Sequence, residues 1–180
     1  MYNVDVSLIK MITKHYWIKR DKIINKINYK GRLFFDKYER IDKMMTRSIM
    51  NEYDAGKSII AHSLINDRDK VENIVFDYNG RNREKFWHRL QLLLREEGYL
   101  NFTAYESKTP GHLHVYVHKG HTTFSEGCQI AKTLSAKLAL KLPREWKMFP
   151  NADIPKEFNI LNLPKKVYAK ERGSSWAKHM

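Results

Sequence analysis

The sequence predicts an α+β domain, a mixed or antiparallel sheet packed with helices, preceded by a basic helical region. Three observations carry this reading. Beyond Gly56, runs of strand length and helix length follow in the order strand, helix, strand, strand, helix. The two helical stretches carry start or stop signals of their own. The strand-like runs place apolar residues on one face, as in Leu113, Val115 and Val117. At 180 residues, 42% hydrophobic and 29% charged, the chain has the composition of one globular domain. It divides into a basic helical region over 1–55 and a core over 56–180 that ends in a basic tail.

In residues 5–30, Leu8, Ile9, Ile12, Tyr16, Ile23, Ile24 and Ile27 fall near helical spacing, interleaved with lysines and Arg20. The expectation is one or two basic amphipathic helices, serving either as a solvated face on a packed helix or as a phosphate-contacting edge. Gly31 breaks the pattern. From Asp36, the residues Tyr38, Ile41, Met45 and Ile49 suggest another helix, with Asp36 and Glu39 in capping-box spacing. Ser58–Ile65 and Asn73–Asn79 are strand-like. Asn82–Glu97 is an amphipathic helix through Phe86, Leu90, Leu93 and Leu94, stopped by Gly98. Leu100–Glu106 and His112–His118 read as strands. Thr123–Leu140 is a helix opened by the box Thr123-Phe124-Ser125-Glu126. A last strand-like piece spans Glu157–Leu163, and the tail from Lys165 is basic and partly irregular.

Thirty-three Lys and Arg against 20 Asp and Glu give a formal charge of +13. Such a balance favours phosphate-rich partners, nucleic acid or nucleotides, over an anionic membrane. The lone Cys128 forms no internal disulfide. Neither a signal-peptide pattern nor an apolar run of about 20 residues is visible, so the expected compartment is the reducing cytoplasm. Gly56-Lys57-Ser58 resembles the end of a P-loop, but Asn51 stands where that motif needs its first glycine.

Strand alternation sends Ile74, Phe76 and Tyr78 one way, and Val75, Asp77 and Asn79 the other. Asp77 and Asn79 therefore share a face at the strand's carboxyl end, where oxygen ligands suit a hard divalent ion carrying phosphates. The competing reading is a turn in which Asp, Asn and Gly serve backbone geometry. On the second strand the apolar face leaves His112, His114, Tyr116 and His118 together opposite. These could carry a proton, bind or stack, or hold zinc through His112, His114 and His118, with His121 or a carboxylate completing the site. The preceding loop offers Ser107, Lys108 and a Pro110-Gly111 turn whose N–H groups could meet phosphate.

From Asn73 to Leu142 the order of elements resembles the catalytic core of the archaeo-eukaryotic primase, or prim-pol, superfamily. It is similar to the polymerase domains of bacterial end-joining ligases. Phe76-Asp77-Tyr78-Asn79 matches the family's Asp-x-Asp strand, and Ser107 to Val117 its Ser/Gly loop leading into a histidine strand. A later-strand Asp corresponds to Asp153, and the Leu-Pro element to Leu163-Pro164-Lys165-Lys166, with Arg172-Gly173 beyond it. The resemblance implies Asp77 and Asp153 as ligands for Mg²⁺ or Mn²⁺ in nucleotidyl transfer, with Asn79 beside them. It also implies His114 on the incoming phosphates, with Ser107, Lys108, Gly111, His112, Lys165 and Lys166 around the same pocket. Asn79 stands where the family has its second Asp, and a neutral amide is a poorer partner for a doubly charged ion. The expected function is a divergent prim-pol-like protein that binds nucleic acid or nucleotides, with catalysis reduced or lost. The alternatives are an active metal-dependent primase-polymerase and a zinc protein built on the histidine strand.

Overall fold

The computed structural model describes residues 1–172. Its larger sheet is built from β7 (Ile74–Tyr78), β8 (Asn101–Glu106), β9 (Leu113–Val117), β11 (Trp146–Phe149) and β13 (Val167–Arg172). The strands run in the order β11-β7-β9-β8-β13, every neighbouring pair antiparallel. Helix α2 (Arg83–Glu96) links β7 to β8, and α3 (Phe124–Ala139) follows β9 and precedes β11. The connectivity is a split β-α-β-β-α-β unit: β9 inserts between the two strands that α2 joins.

Both helices lie on one face, because the alternation predicted for β7 and β9 holds. Ile74, Phe76, Tyr78, Leu113, Val115 and Val117 pack against Phe86, Leu90, Leu94, Ala131, Leu134 and Leu138 in one buried cluster. Asn82 caps α2 by accepting from Lys85 N, and Thr123 caps α3 by accepting from Glu126 N. Gly98, at φ 85°, closes α2 in the left-handed region.

The second sheet is β12-β5-β1-β4, again wholly antiparallel: β1 (Tyr16–Lys19), β4 (Tyr38–Ile41), β5 (Ile60–Ser63) and β12 (Ile160–Asn162). It draws two strands from before residue 55 and two from after it. This layer covers the helix-free face of the larger sheet, where Val75, Tyr105, Tyr116 and Phe149 meet Ile9, Leu64 and Leu161. Buried tyrosines tie the chain start to the layer. Tyr2 and Tyr53 donate to the carbonyls of Pro164 (2.7 Å) and Leu163 (2.6 Å).

The predicted N-terminal helices are corrected. Residues 5–30 hold β1 and β2 (Asn25–Tyr29), and β2 pairs with β3 (Arg32–Asp36) in a hairpin. Lys30 and Gly31 form its two-residue turn, at φ 49° and 74°, the positive values that a tight hairpin turn requires. Asp36 ends β3 and accepts from Tyr38 N instead of capping a helix. Helix α1 (Arg47–Asp54) starts only at its cap Thr46. The tail, expected to be basic and partly irregular, pairs as β13 along β8 through Arg172. Gly173 and the rest of the tail lie outside the described residues. The short strands β6 (Lys70–Val71) and β10 (Thr122–Thr123) pair with each other. No helix among the described residues is long and apolar enough to cross a membrane.

Candidate functional site

A cleft of about 640 Å³ opens between the two sheets, lined by β7, β11, the loop before β9, β12 and the inner face of the β2–β3 hairpin. Asp77 lies at its floor. In register it sits between His114 on β9 and Lys147 on β11. The position of Lys147 is fixed from behind. Trp146 faces the helices and donates its indole N–H to Ser135 Oγ of α3 at 3.0 Å, so the next residue must face the cleft. The ladder extends one step further as Asn79 N donates to Glu145 O at 2.8 Å.

His114 Nε2 is 3.5 Å from Asp77 Oδ1, and the imidazole is almost wholly buried. Burial, reinforced by His62 and His112, lowers its pKa to about 3, so the ring is neutral at physiological pH. With Nε2 carrying the proton toward the carboxylate, Nδ1 is a bare acceptor, and it has no hydrogen-bond partner. Burial raises the Asp77 pKa, against the opposing pull of Lys147, His112 and Asn79. Behind His114, His62 donates from Nδ1 to Ser63 O (3.3 Å) and accepts the Tyr116 hydroxyl at Nε2 (2.8 Å). Burial holds His62 at about 4, so it too is neutral.

The structure brings Asp77, Asn79, Ser107, His112 and His114 to one cleft. The 107–112 loop folds on itself, with Ser107 N donating to His112 O and His112 N to Thr109 O. Lys108 and Gly111 are exposed on that loop, outside the cleft lining. Asp153 is not brought in. It lies in a turn whose backbone N–H is held by Asn151, exposed beside Lys30 and on the far side of β11 facing α3. Lys165 is taken up by Tyr53, donating to its carbonyl and lying over its ring, while Lys166 pairs with Glu106.

These placements bear on metal chemistry. Where a two-ion centre needs several converging carboxylates, the floor holds Asp77, an amide and a register-opposed ammonium, and the other carboxylate on the lining, Asp36 of the hairpin, accepts from Tyr38 N. Among the described residues no group of three His, Cys, Asp or Glu side chains is arranged to hold a metal ion. The set does not fit two divalent ions. The histidine row does not converge either: His118 bonds Asn73 and Thr103, and His121 pairs with Glu72.

Sequence reasoning passed over Arg32, Phe34, Tyr38, Arg144 and Lys147, all of which line the cleft. For Lys147 the sequence signal was the alternation of Trp146, Lys147 and Met148, a short strand with a cation on its polar face.

A family model described as a domain of unknown function (DUF1882) matches residues 1–73. That segment supplies the cleft wall with the hairpin, β4 and β5, and it ends one residue before β7. No curated protein matches the chain.

Proposed function

We propose that the cleft binds the phosphate-bearing part of a nucleotide or nucleic acid, in a divergent prim-pol-like protein whose nucleotidyl transfer is reduced or lost. One observation carries the reading: Arg32, Arg144 and Lys147 line the cleft with no ion-pair partner among the described residues. Several cations outside the cleft are matched, as in Arg83 with Glu106, Arg95 with Glu171 and Lys137 with Glu97. Set against Asp36 and Asp77 on the same lining, the three cations leave this concave, partly apolar space net positive, a field that an anion relieves. Ser107 and Thr109 add hydroxyls, and His112 adds an imidazole, all able to bond phosphate oxygens. Phe34 and Phe158 supply apolar rings against which a base can lie.

The reduced-catalysis half rests on the donor set. Lys147 lies opposite Asp77 in register, and Asp36 from the hairpin is the other carboxylate on the lining, a set that favours holding phosphate directly over holding it through two cations. The free, buried Cys128 accords with a reducing, cytoplasmic setting.

The test is calorimetric titration with nucleoside triphosphates, alongside labelled-nucleotide incorporation on primed and unprimed templates with Mg²⁺ and Mn²⁺. Triphosphate binding that weakens at least tenfold in Lys147→Glu, with no incorporation, is the expected result. Folded protein that binds no nucleotide sinks the reading. Incorporation abolished by Asp77→Ala would replace it with an active polymerase.

A further inference from the structure

The hairpin β2–β3 has two faces of different character. Its inner face sends Arg32, Phe34 and Asp36 into the cleft. The tip is pinned to the loop after β11, with Tyr29 Oη and Lys30 Nζ donating to Ala152 O at 2.8 and 2.9 Å. The outer face is set by register: Lys26 lies opposite Phe35, and Asn28 opposite Leu33. Ile24, whose N–H donates to Asp36 O, continues that face beside Lys37. Phe35 is 54% exposed, Leu33 45% and Ile24 36%, although each is of a type that folding normally covers.

Charge decides what covers them. The face carries two lysines and no acid, and neither lysine has an ion-pair partner among the described residues. A second copy of the chain would bring Lys26 and Lys37 against their own like charges, in a protein already at +13. A lipid surface is met by a broad apolar face, and this one is three side chains wide. An extended two-stranded ribbon that interleaves an aromatic ring and aliphatic residues with ammonium groups matches a chain of stacked π-faces on a phosphate backbone. We infer that the outer face of the β2–β3 hairpin binds single-stranded nucleic acid, with Phe35 stacking on a base and Lys26 and Lys37 contacting phosphates.

This site uses none of the cleft residues, so the two readings fail separately. The test is fluorescence anisotropy of a labelled oligodeoxythymidylate with the full chain, against a duplex of the same length and polyglutamate. Tighter binding of the single strand than of either competitor is expected. Phe35→Ala is expected to weaken it by about fivefold or more, the loss of one stacked base. Lys26→Gln with Lys37→Gln is expected to flatten the log K against log salt slope by about 1.4, about 0.7 for each single-strand phosphate contact. All three positions are exposed, so the variants keep their thermal midpoint and their affinity for mononucleotide. Single-strand affinity unchanged in both variants overturns the inference. So does polyglutamate competing equally with the oligonucleotide, which would mark the face as a dock for an acidic protein. An absence of mononucleotide binding alongside a Phe35-dependent oligonucleotide affinity would refute the cleft reading and uphold this one.

Discussion

Asp77 is held at a cost to the fold. Its carboxyl is mostly buried and its pKa is raised by that burial, so the folded state disfavours the charged form despite Lys147 and His112 nearby. Neutralising it should therefore stabilise the protein: Asp77→Asn is expected to raise urea stability by about 0.5–2 kcal/mol while weakening whatever the cleft does. A midpoint that falls would mean the carboxylate is structural. Tyr116 behaves in the opposite way. Tyr116→Phe removes the proton that satisfies His62 Nε2 in the interior, and equilibrium denaturation should show a loss of about 1–3 kcal/mol. A loss near zero would show that His62 finds another donor. Which residues share a face was legible here, since period-two alternation placed Asp77, His114 and Tyr116 together. Which residues are neighbours was not. Lys147 lies opposite Asp77 only because a strand 70 positions later pairs in that register, and alternation within one strand carries no such information. Asp153 was misplaced for the same reason: the strand nearest Asp77 ends at Phe149, before it.

The strongest sequence signals belonged to α2, α3, β7, β8 and β9, where period, caps and glycine stops agreed. The hairpin was misread because Ile23, Ile24 and Ile27 mimic helical spacing, whereas in the strand Ile24 faces out and Ile27 pairs with Phe34 inside. An odd separation reads as one face of a helix and as two faces of a strand. Lys-Gly is also a weaker turn signal than Asn-Gly, although both its residues take positive φ. Within α3, Gly127 shows tertiary packing overriding local propensity. A Cβ there would stand 2.7 Å from Val71 Cγ2 and 2.9 Å from Pro150 Cγ, so the glycine lets the helix approach β6 and the loop after β11. In an open helix Ala would gain about 1 kcal/mol over Gly. Gly127→Ala should instead destabilise by about 1–3 kcal/mol, because neither neighbour is the free end of a flexible chain. A thermal midpoint that rises would show that the β6–β10 pair yields at little cost.

At the scale of the molecule, the seam between the two sheets holds two buried imidazoles, His62 on β5 and His114 on β9, both neutral and both lowered chiefly by burial. Protonating either places a charge in the desolvated seam between the layers, and for His114 the burial outweighs the Asp77 carboxylate 3.5 Å away. The unfolded chain takes up protons near the ordinary histidine value of about 6.5, whereas the folded chain resists until about 4 and about 3. Between those limits the unfolded state binds more protons, so stability is full above about pH 6.5 and falls as pH is lowered through the window. Asp77, raised by burial, acts with the opposite sign, since its folded form takes a proton earlier than the unfolded chain does. Across the protein Asp36 joins Asp77 in that sense and His15 joins the two seam histidines, so two groups stand against three and the net slope remains a loss toward acid. Urea midpoints at steps between pH 7.5 and 4.5 should decline steadily. Replacing His114 by Gln, which keeps a polar side chain without the titration, should reduce the slope of unfolding free energy against pH by the equivalent of one proton, whatever it does to stability at pH 7.5. A variant whose slope matches the wild type would show that surface carboxylates, and not the seam between the sheets, govern the response to acid.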